Sequence, residues 1–365
     1  MIRRATYAAL VLAPGSWVHA SVATAATIVY GPPEDSVLSA TVPAPNPAPR
    51  RLTATQVAVI VNSADALSVA TGDYYARKRH IPKGNVIRVS FDPLRDELPE
   101  GEFAKIRTSV ESRAGPGVQA YALTWARPYR VGCMSITSAF TFGFDPKYCA
   151  TGCTPTQPSP YFNAPTARPH DDLRIRPAMS IAALDLSHAE SLIDRGIQSD
   201  GSNPRGTAYL VATDDRARNV RSMEYTRLAA VAQQRVKIDI LHGTEVRDRP
   251  DVMFYFIGEP TVTEVASNHF LSGAVADHLT SFGGVLTGDS GQMSSLRWLD
   301  AGATGSYGTV VEPCNLLGKF PDIGVLMSHY LAGETLIEAY WKSVAMPGQG
   351  LFIGEPLAAP FRTRD

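Results

Sequence analysis

The sequence predicts an α/β fold: one mostly parallel sheet with helices on both faces, carrying an irregular cysteine-bearing insertion. Three observations predict it. Apolar runs such as Val252-Met253-Phe254-Tyr255-Phe256-Ile257 stop abruptly at turn residues, as strands buried on both faces do. Stretches with apolar residues three and four apart alternate with those runs, which is the rhythm of βαβ units. The composition is that of a globular chain, 365 residues with 44% hydrophobic and 19% charged.

The elements follow in order. Met1-Ile2-Arg3-Arg4 is a short basic start, Ala5 to Val18 is mostly apolar, and small residues follow. This pattern predicts a signal peptide over residues 1–25 and hence an exported protein, periplasmic or extracellular. Residues 26–55 read as a proline-rich linker that favours extended backbone and buries little. A single α/β domain is expected over 56–365, with the insertion at about 127–178. Gln56 to Val61 is β-branched and reads as the first strand. Ser63 to Arg79 turns helical, with Ala66, Val69, Ala70 and Tyr74 on one side, and Ile81-Pro82 ends it. Asn85 to Phe91 reads as a strand, Phe103 to Ser112 as a helix and Val118 to Trp125 as a third strand, completing βαβαβ.

The insertion breaks this rhythm with prolines and with Cys133, Cys149 and Cys153, while its aromatic residues argue for order. The pattern resumes with a strand at Thr207 to Thr213, a helix at Arg218 to Gln234 and a short strand at Val236 to Leu241. The 252–257 strand halts at Gly258-Glu259-Pro260. A further strand precedes His278, a helix covers Met293 to Ala301, and the small-residue segment Ala303 to Thr309 follows. Ile323 to Val344 reads as a helical hairpin or a long helix interrupted at Gly333. Leu351-Phe352-Ile353 is the last strand, closed by Gly354-Glu355-Pro356.

Function is sought where parallel strands end, because ligands bind beyond the carboxyl ends of such strands. If the strands at 56–61, 118–125, 207–213 and 252–257 all run the same way, Arg130, Asp214, Glu259, His278 and Glu312 surround one cleft. Charges of both signs there would suit a polar ligand, a small molecule such as a sugar acid or a peptide end. Arg216, Arg218 and Arg221 follow the 207–213 strand and could bind an anion or pair with Asp214, Asp215 and Glu312. Cys314 follows Glu312-Pro313, and with His278 as base it could act as a thiol nucleophile. Asp277 is next to His278, but neighbours on a strand face opposite ways, so it would not orient that ring. The bland reading makes Cys314 buried or disulfide-bonded and His278 a structural cap.

Four cysteines allow three pairings, and after export at least one disulfide is expected, joining two of Cys133, Cys149 and Cys153. Cys314 is then the odd thiol if only one bridge forms. A zinc site completed by His170 or Cys314 fits no common spacing, and no metal is expected. Gly288-Asp289-Ser290-Gly291 reads as a tight turn rather than a serine nucleophile. The glycines from Gly302 to Gly308 lack the lysine of a phosphate loop, so close backbone packing explains them and no cofactor is expected. Net charge is −1, with no basic excess to call for nucleic acid. No apolar run after residue 30 is long enough to span a bilayer, so no membrane span is expected once the leader is removed.

Two resemblances add to this. Val59-Ile60-Val61-Asn62 through Tyr74-Tyr75-Ala76-Arg77-Lys78-Arg79-His80-Ile81-Pro82 resembles the amino-terminal signature of a large uncharacterised family of exported bacterial proteins. Ala301 through Pro313 resembles the same family. More distantly, residues 251–357 resemble the catalytic half of gingipain-type cysteine peptidases, which implies a caspase-like sheet. In that family one strand ends in a Gly-His-Gly turn and the next at the nucleophilic cysteine. Here the first position holds Gly258-Glu259-Pro260 and the second falls near Thr280 or Ser281, so the usual dyad is absent. The resemblance therefore implies a peptidase-like frame that binds a polar ligand or partner. The alternative is an atypical cysteine-peptidase-like hydrolase using Cys314 and His278.

Overall fold

The computed structural model describes residues 51–363, apart from Thr151 and residues 233 and 234. The expected signal peptide and most of the linker lie outside the described residues. The remainder builds a ten-stranded sheet. Its strands are β1 (Val57–Asn62), β2 (Val86–Val89), β3 (Ala120–Leu123), β6 (Ala178–Ser180), β7 (Thr207–Ala212), β8 (Lys237–His242), β9 (Val252–Ile257), β10 (Phe270–His278), β11 (Gly305–Thr309) and β12 (Gly350–Gly354). The short hairpin β4 (Arg130–Val131) and β5 (Met134–Ser135) stands apart from the sheet.

The strand order is β2-β1-β3-β6-β12-β11-β10-β9-β7-β8. Every neighbouring pair is parallel except β11 with β12. The sheet is thus two parallel blocks, β2-β1-β3-β6-β12 and β11-β10-β9-β7-β8, running in opposite directions. This corrects the expectation that the 56–61, 118–125, 207–213 and 252–257 strands all end on one side. The first two end on the edge opposite to the last two. The cause lies in the connection before β12. Helices α8 (Ile323–Leu331) and α9 (Leu336–Ser343) are packed on each other, and Gly333 turns between them at φ 93°. Two helices return the chain to the edge where β11 ended, so β12 must run back against it; a single crossover helix would have made it parallel.

Helices cover both faces. Strand β9 shows why: its side chains alternate, Phe254 meeting Tyr330 of α8 and Tyr255 meeting Trp298 of α7 (Leu296–Asp300). With α7 lie α1 (Ala66–Lys78) and α5 (Leu186–Ser199), which pack on each other while α5 also reaches β10. On the other face are α2 (Glu100–Arg113), α3 (Ile136–Phe142), α6 (Tyr225–Ala232), α8 and α9. Side-chain caps start several of these helices: Asp65 accepts from Leu67 N, Asp185 from His188 N and Asp322 from Val325 N. The short α4 (Pro169–Leu173) sits late in the insertion. Gly308 lies against Gly283 and Gly284 with no room for a Cβ, which is the close packing expected of the Gly302–Gly308 segment.

The insertion is ordered by two disulfides. Cys133–Cys149 closes it internally, and Cys153–Cys314 ties it to the segment after β11, with Cα separations of 5.6 and 5.4 Å. The first pairing lies within the expected trio; Cys314 is no odd thiol, because a second bridge forms. No helix among the described residues is long and apolar enough to cross a membrane.

Candidate functional site

The carboxyl edge of the second block gathers the most polar side chains the sequence singled out. Beyond β7 come Thr213, Asp214 and Asp215; beyond β9, Glu259; beyond β10, Thr280 and Ser281. A 3-10 segment, Asn219–Glu224, lies across them. Thr213 Oγ1 donates to the Gly258 carbonyl at 2.8 Å, and Thr213 N donates to Asn219 Oδ1 at 3.0 Å. The first bond ties the end of β7 to that of β9, and the second ties it to the 3-10 segment.

Arg218 links the next pair. Its Nη1 pairs with Asp215 Oδ2 at 2.6 Å and its Nε donates to Thr280 Oγ1 at 3.1 Å. Thr280 Oγ1 donates in turn to Gln292 Oε1 at 2.7 Å. Burial pulls the Asp215 carboxyl up, but its bonds to the Arg218 side chain and backbone outweigh that and hold it below the ordinary carboxylate range. Glu259 is half-buried and moves the other way: burial, then the charge of Asp215, push it up. Beside these residues a cleft of about 450 Å³ is lined by Thr213, Asp214, Asn219, Ser222, Thr226 and His242, among others. Asp214 and Glu259 therefore meet at one edge, as the strand-end argument expects.

The other predicted site residues do not join them. His278 is 2% exposed, and both its ring nitrogens are committed, Nε2 to the Met293 carbonyl and Nδ1 to the Trp298 indole N–H, each at 2.9 Å. Burial pushes its pKa down to about 4. Asp277 faces the opposite side of the sheet, where its Oδ1 lies 2.7 Å from Arg221 Nη1. It does not orient His278, as strand alternation requires. Burial raises the Asp277 carboxyl and Arg221 opposes that. Cys314 is bonded to Cys153, so it offers no thiolate, and the Cys314–His278 dyad is corrected on both members. With all four cysteines in disulfides, the zinc alternative loses its thiolates as well.

Arg130 rides on the β4–β5 hairpin and pairs with Glu97 at 2.8 Å. Glu312 folds onto its own loop, where Oε1 accepts from Cys314 N at 2.7 Å. Neither lines the cleft; of the five residues only Asp214 does, and Glu259 stands beside it, close enough to feel the charges of Asp214 and Asp215. Gly288-Asp289-Ser290-Gly291 is a turn, closed by Gly291 N donating to Asp289 Oδ1 at 2.8 Å.

Gln292 is the site residue that the sequence reading passes over. It also accepts from Phe282 N at 2.8 Å, bridging the turn after β10 to the loop before α7. Nothing in its neighbours marks it, because the contact depends on two loops meeting.

No protein-family profile matches the chain, and no curated protein matches it. Among solved structures, the crystal structure of the Arg-specific cysteine proteinase gingipain R is 10% identical, with 86% of this chain and 80% of that chain covered at a TM-score of 0.45. A second, described only as the structure of a protease, shares 10% identity over the same 86% and 80%, at 0.44. A likeness at this level carries no argument about this chain.

Proposed function

We propose that this is an exported binding protein on a peptidase-like frame, which takes a cationic polar group, such as a peptide amino end or basic side chain, at the carboxyl edge of β7 and β9. The observation that carries this is the local charge. Asp214, Asp215 and Glu259 come together there, and among the described residues only Asp215 of the three is ion-paired, with Arg218. Glu259 feels Asp215, Arg218 and Asp214, and among the described residues it has no ion pair of its own, so a ligand ammonium or guanidinium would relieve it. A sugar acid, left open by the sequence, would be repelled. Two disulfides and the basic–apolar–small amino-terminal pattern support export.

The test is calorimetric titration with trilysine, its Nα-acetylated form and glucuronate at low salt. Trilysine should bind and glucuronate should not. Glu259→Ala should weaken trilysine binding by about tenfold with an unchanged melting temperature. Equal loss of stability would make Glu259 structural, and binding that ignores the substitution would remove the site. For export, protein from the native host should begin between Ser21 and Thr27; an intact Met1 in most molecules would defeat it.

A further inference from the structure

A second cavity lies under α6 and α8, on the face of the sheet that carries Asp277. It measures about 510 Å³. Its walls include Leu228, Phe320, Ile323, Met327 and Leu331, with the partly exposed Phe162 and Leu317 also lining it. Such a volume is in the range that encloses a small organic ligand.

The walls also carry Glu224, Arg227, Arg235 and Asp322, all at least partly exposed, and one charged lining residue differs from these in being buried. Arg221 is 4% exposed, yet borders the cavity. Its Nη2 donates to the Ile257 carbonyl at 3.1 Å, and its Nη1 sits 2.7 Å from Asp277 Oδ1. Its Nε has no hydrogen-bond partner among the described residues. A buried donor without an acceptor is costly, and the few that persist call for an explanation. The ion pair with Asp277 already balances the guanidinium charge. A ligand carboxylate would add a second negative charge to a balanced buried pair, whereas a neutral carbonyl would satisfy Nε without doing so.

We propose that this cavity binds an apolar acyl compound with an uncharged carbonyl head, an amide or ester, whose oxygen accepts from Arg221 while its chain lies along α8. This site is separate in chemistry from the proposed cationic-ligand cleft, although Tyr225 borders both cavities.

The experiment titrates the full chain with decanamide, decanoate and decylamine, each below its micellar range, by calorimetry. Decanamide should bind one to one with Kd below about 100 μM, and decanoate and decylamine at least about tenfold more weakly. Ser328 is exposed and lines the cavity, so Ser328→Trp should abolish decanamide binding with melting unchanged. The paired variant Arg221→Met with Asp277→Leu removes the charges together and avoids leaving one buried alone. It should bind decanamide and decanol equally, where the wild type prefers the amide. Decanoate binding as tightly as decanamide, or a Ser328→Trp protein that still binds, would overturn the proposal. So would a paired variant that keeps the preference. Trilysine binding is expected to be untouched by Ser328→Trp, which separates this site from the cleft.

Discussion

The indole N–H of Trp298 donates to Nδ1 of His278 at 2.9 Å. That bond makes Nδ1 an acceptor, so the ring proton sits on Nε2 and is given to the Met293 carbonyl. The ring is therefore a neutral brace between β10, α7 and the loop before α7. It has no lone pair left for a substrate proton, and this removes it from acid–base chemistry more firmly than distance would.

The acid limb of stability should carry its signature. Burial lowers the folded-state pKa from 6.5 to about 4. Between those values the unfolded chain binds a proton that the folded one refuses. The contribution is fully present above pH 6.5 and is lost as pH falls through that window, amounting to about 3 kcal/mol. In NMR titration the His278 ring should stay neutral down to pH 5; a transition near pH 6.5 would contradict the brace. Trp298→Phe should cost about 2–4 kcal/mol at pH 7 by denaturant unfolding, through lost packing and an unpaired Nδ1.

Glu338 should act in the opposite sense. Its carboxylate Oε2 accepts from Leu52 N, Thr335 N and Thr335 Oγ1, while burial and the charge of Glu334 push its pKa up to about 7. From the ordinary 4.5 up to about 7, the folded state holds a proton that the unfolded chain releases, so stability falls as pH rises. Glu338→Gln keeps a neutral acceptor in place. The variant should gain about 2–3 kcal/mol over wild type at pH 8 and nothing at pH 4. An advantage independent of pH would show that ionisation is not the cause.

Neither disulfide leaves a thiol for chemistry. Iodoacetamide should not label the native protein unless it is reduced first; one labelled cysteine in unreduced protein would reopen the nucleophile question. Cys314→Ser frees Cys153 and opens a closure spanning 161 positions, which should cost about 2–4 kcal/mol by denaturant unfolding.

Much of the fold was legible. The strand at 252–257 is found at its expected bounds, since a run buried on both faces has no other place to go. Helix α5 was passed over although Ala189, Leu192, Ile193 and Gly196 are spaced as a buried face and Asp185 caps it. It follows β6, whose three residues are too few to register as a strand. The direction of the first block was not legible, because strand polarity depends on how many times the intervening chain crosses the sheet. Strand ends alone bring Asp214 and Glu259 to one edge of the sheet. Arg130 and Glu312 were not placed, since each turns to a partner on its own loop or a neighbouring segment. That His278 and Asp277 face opposite layers follows from strand alternation, but which of the two faces α7 needs the strand phase.

Strand β12 has a consequence for the order of assembly. It follows every other described strand in sequence, yet it is the strand that joins β6 to β11. Until it arrives, each block presents an unpaired edge to its surroundings. Such edges recruit other chains, and contacts so distant in sequence form slowly. A chain stopped before Gly350 would hold two open half-sheets with nothing between them. Closure of the sheet thus waits on this one strand, and the period before it arrives is when the sheet is most exposed to aggregation.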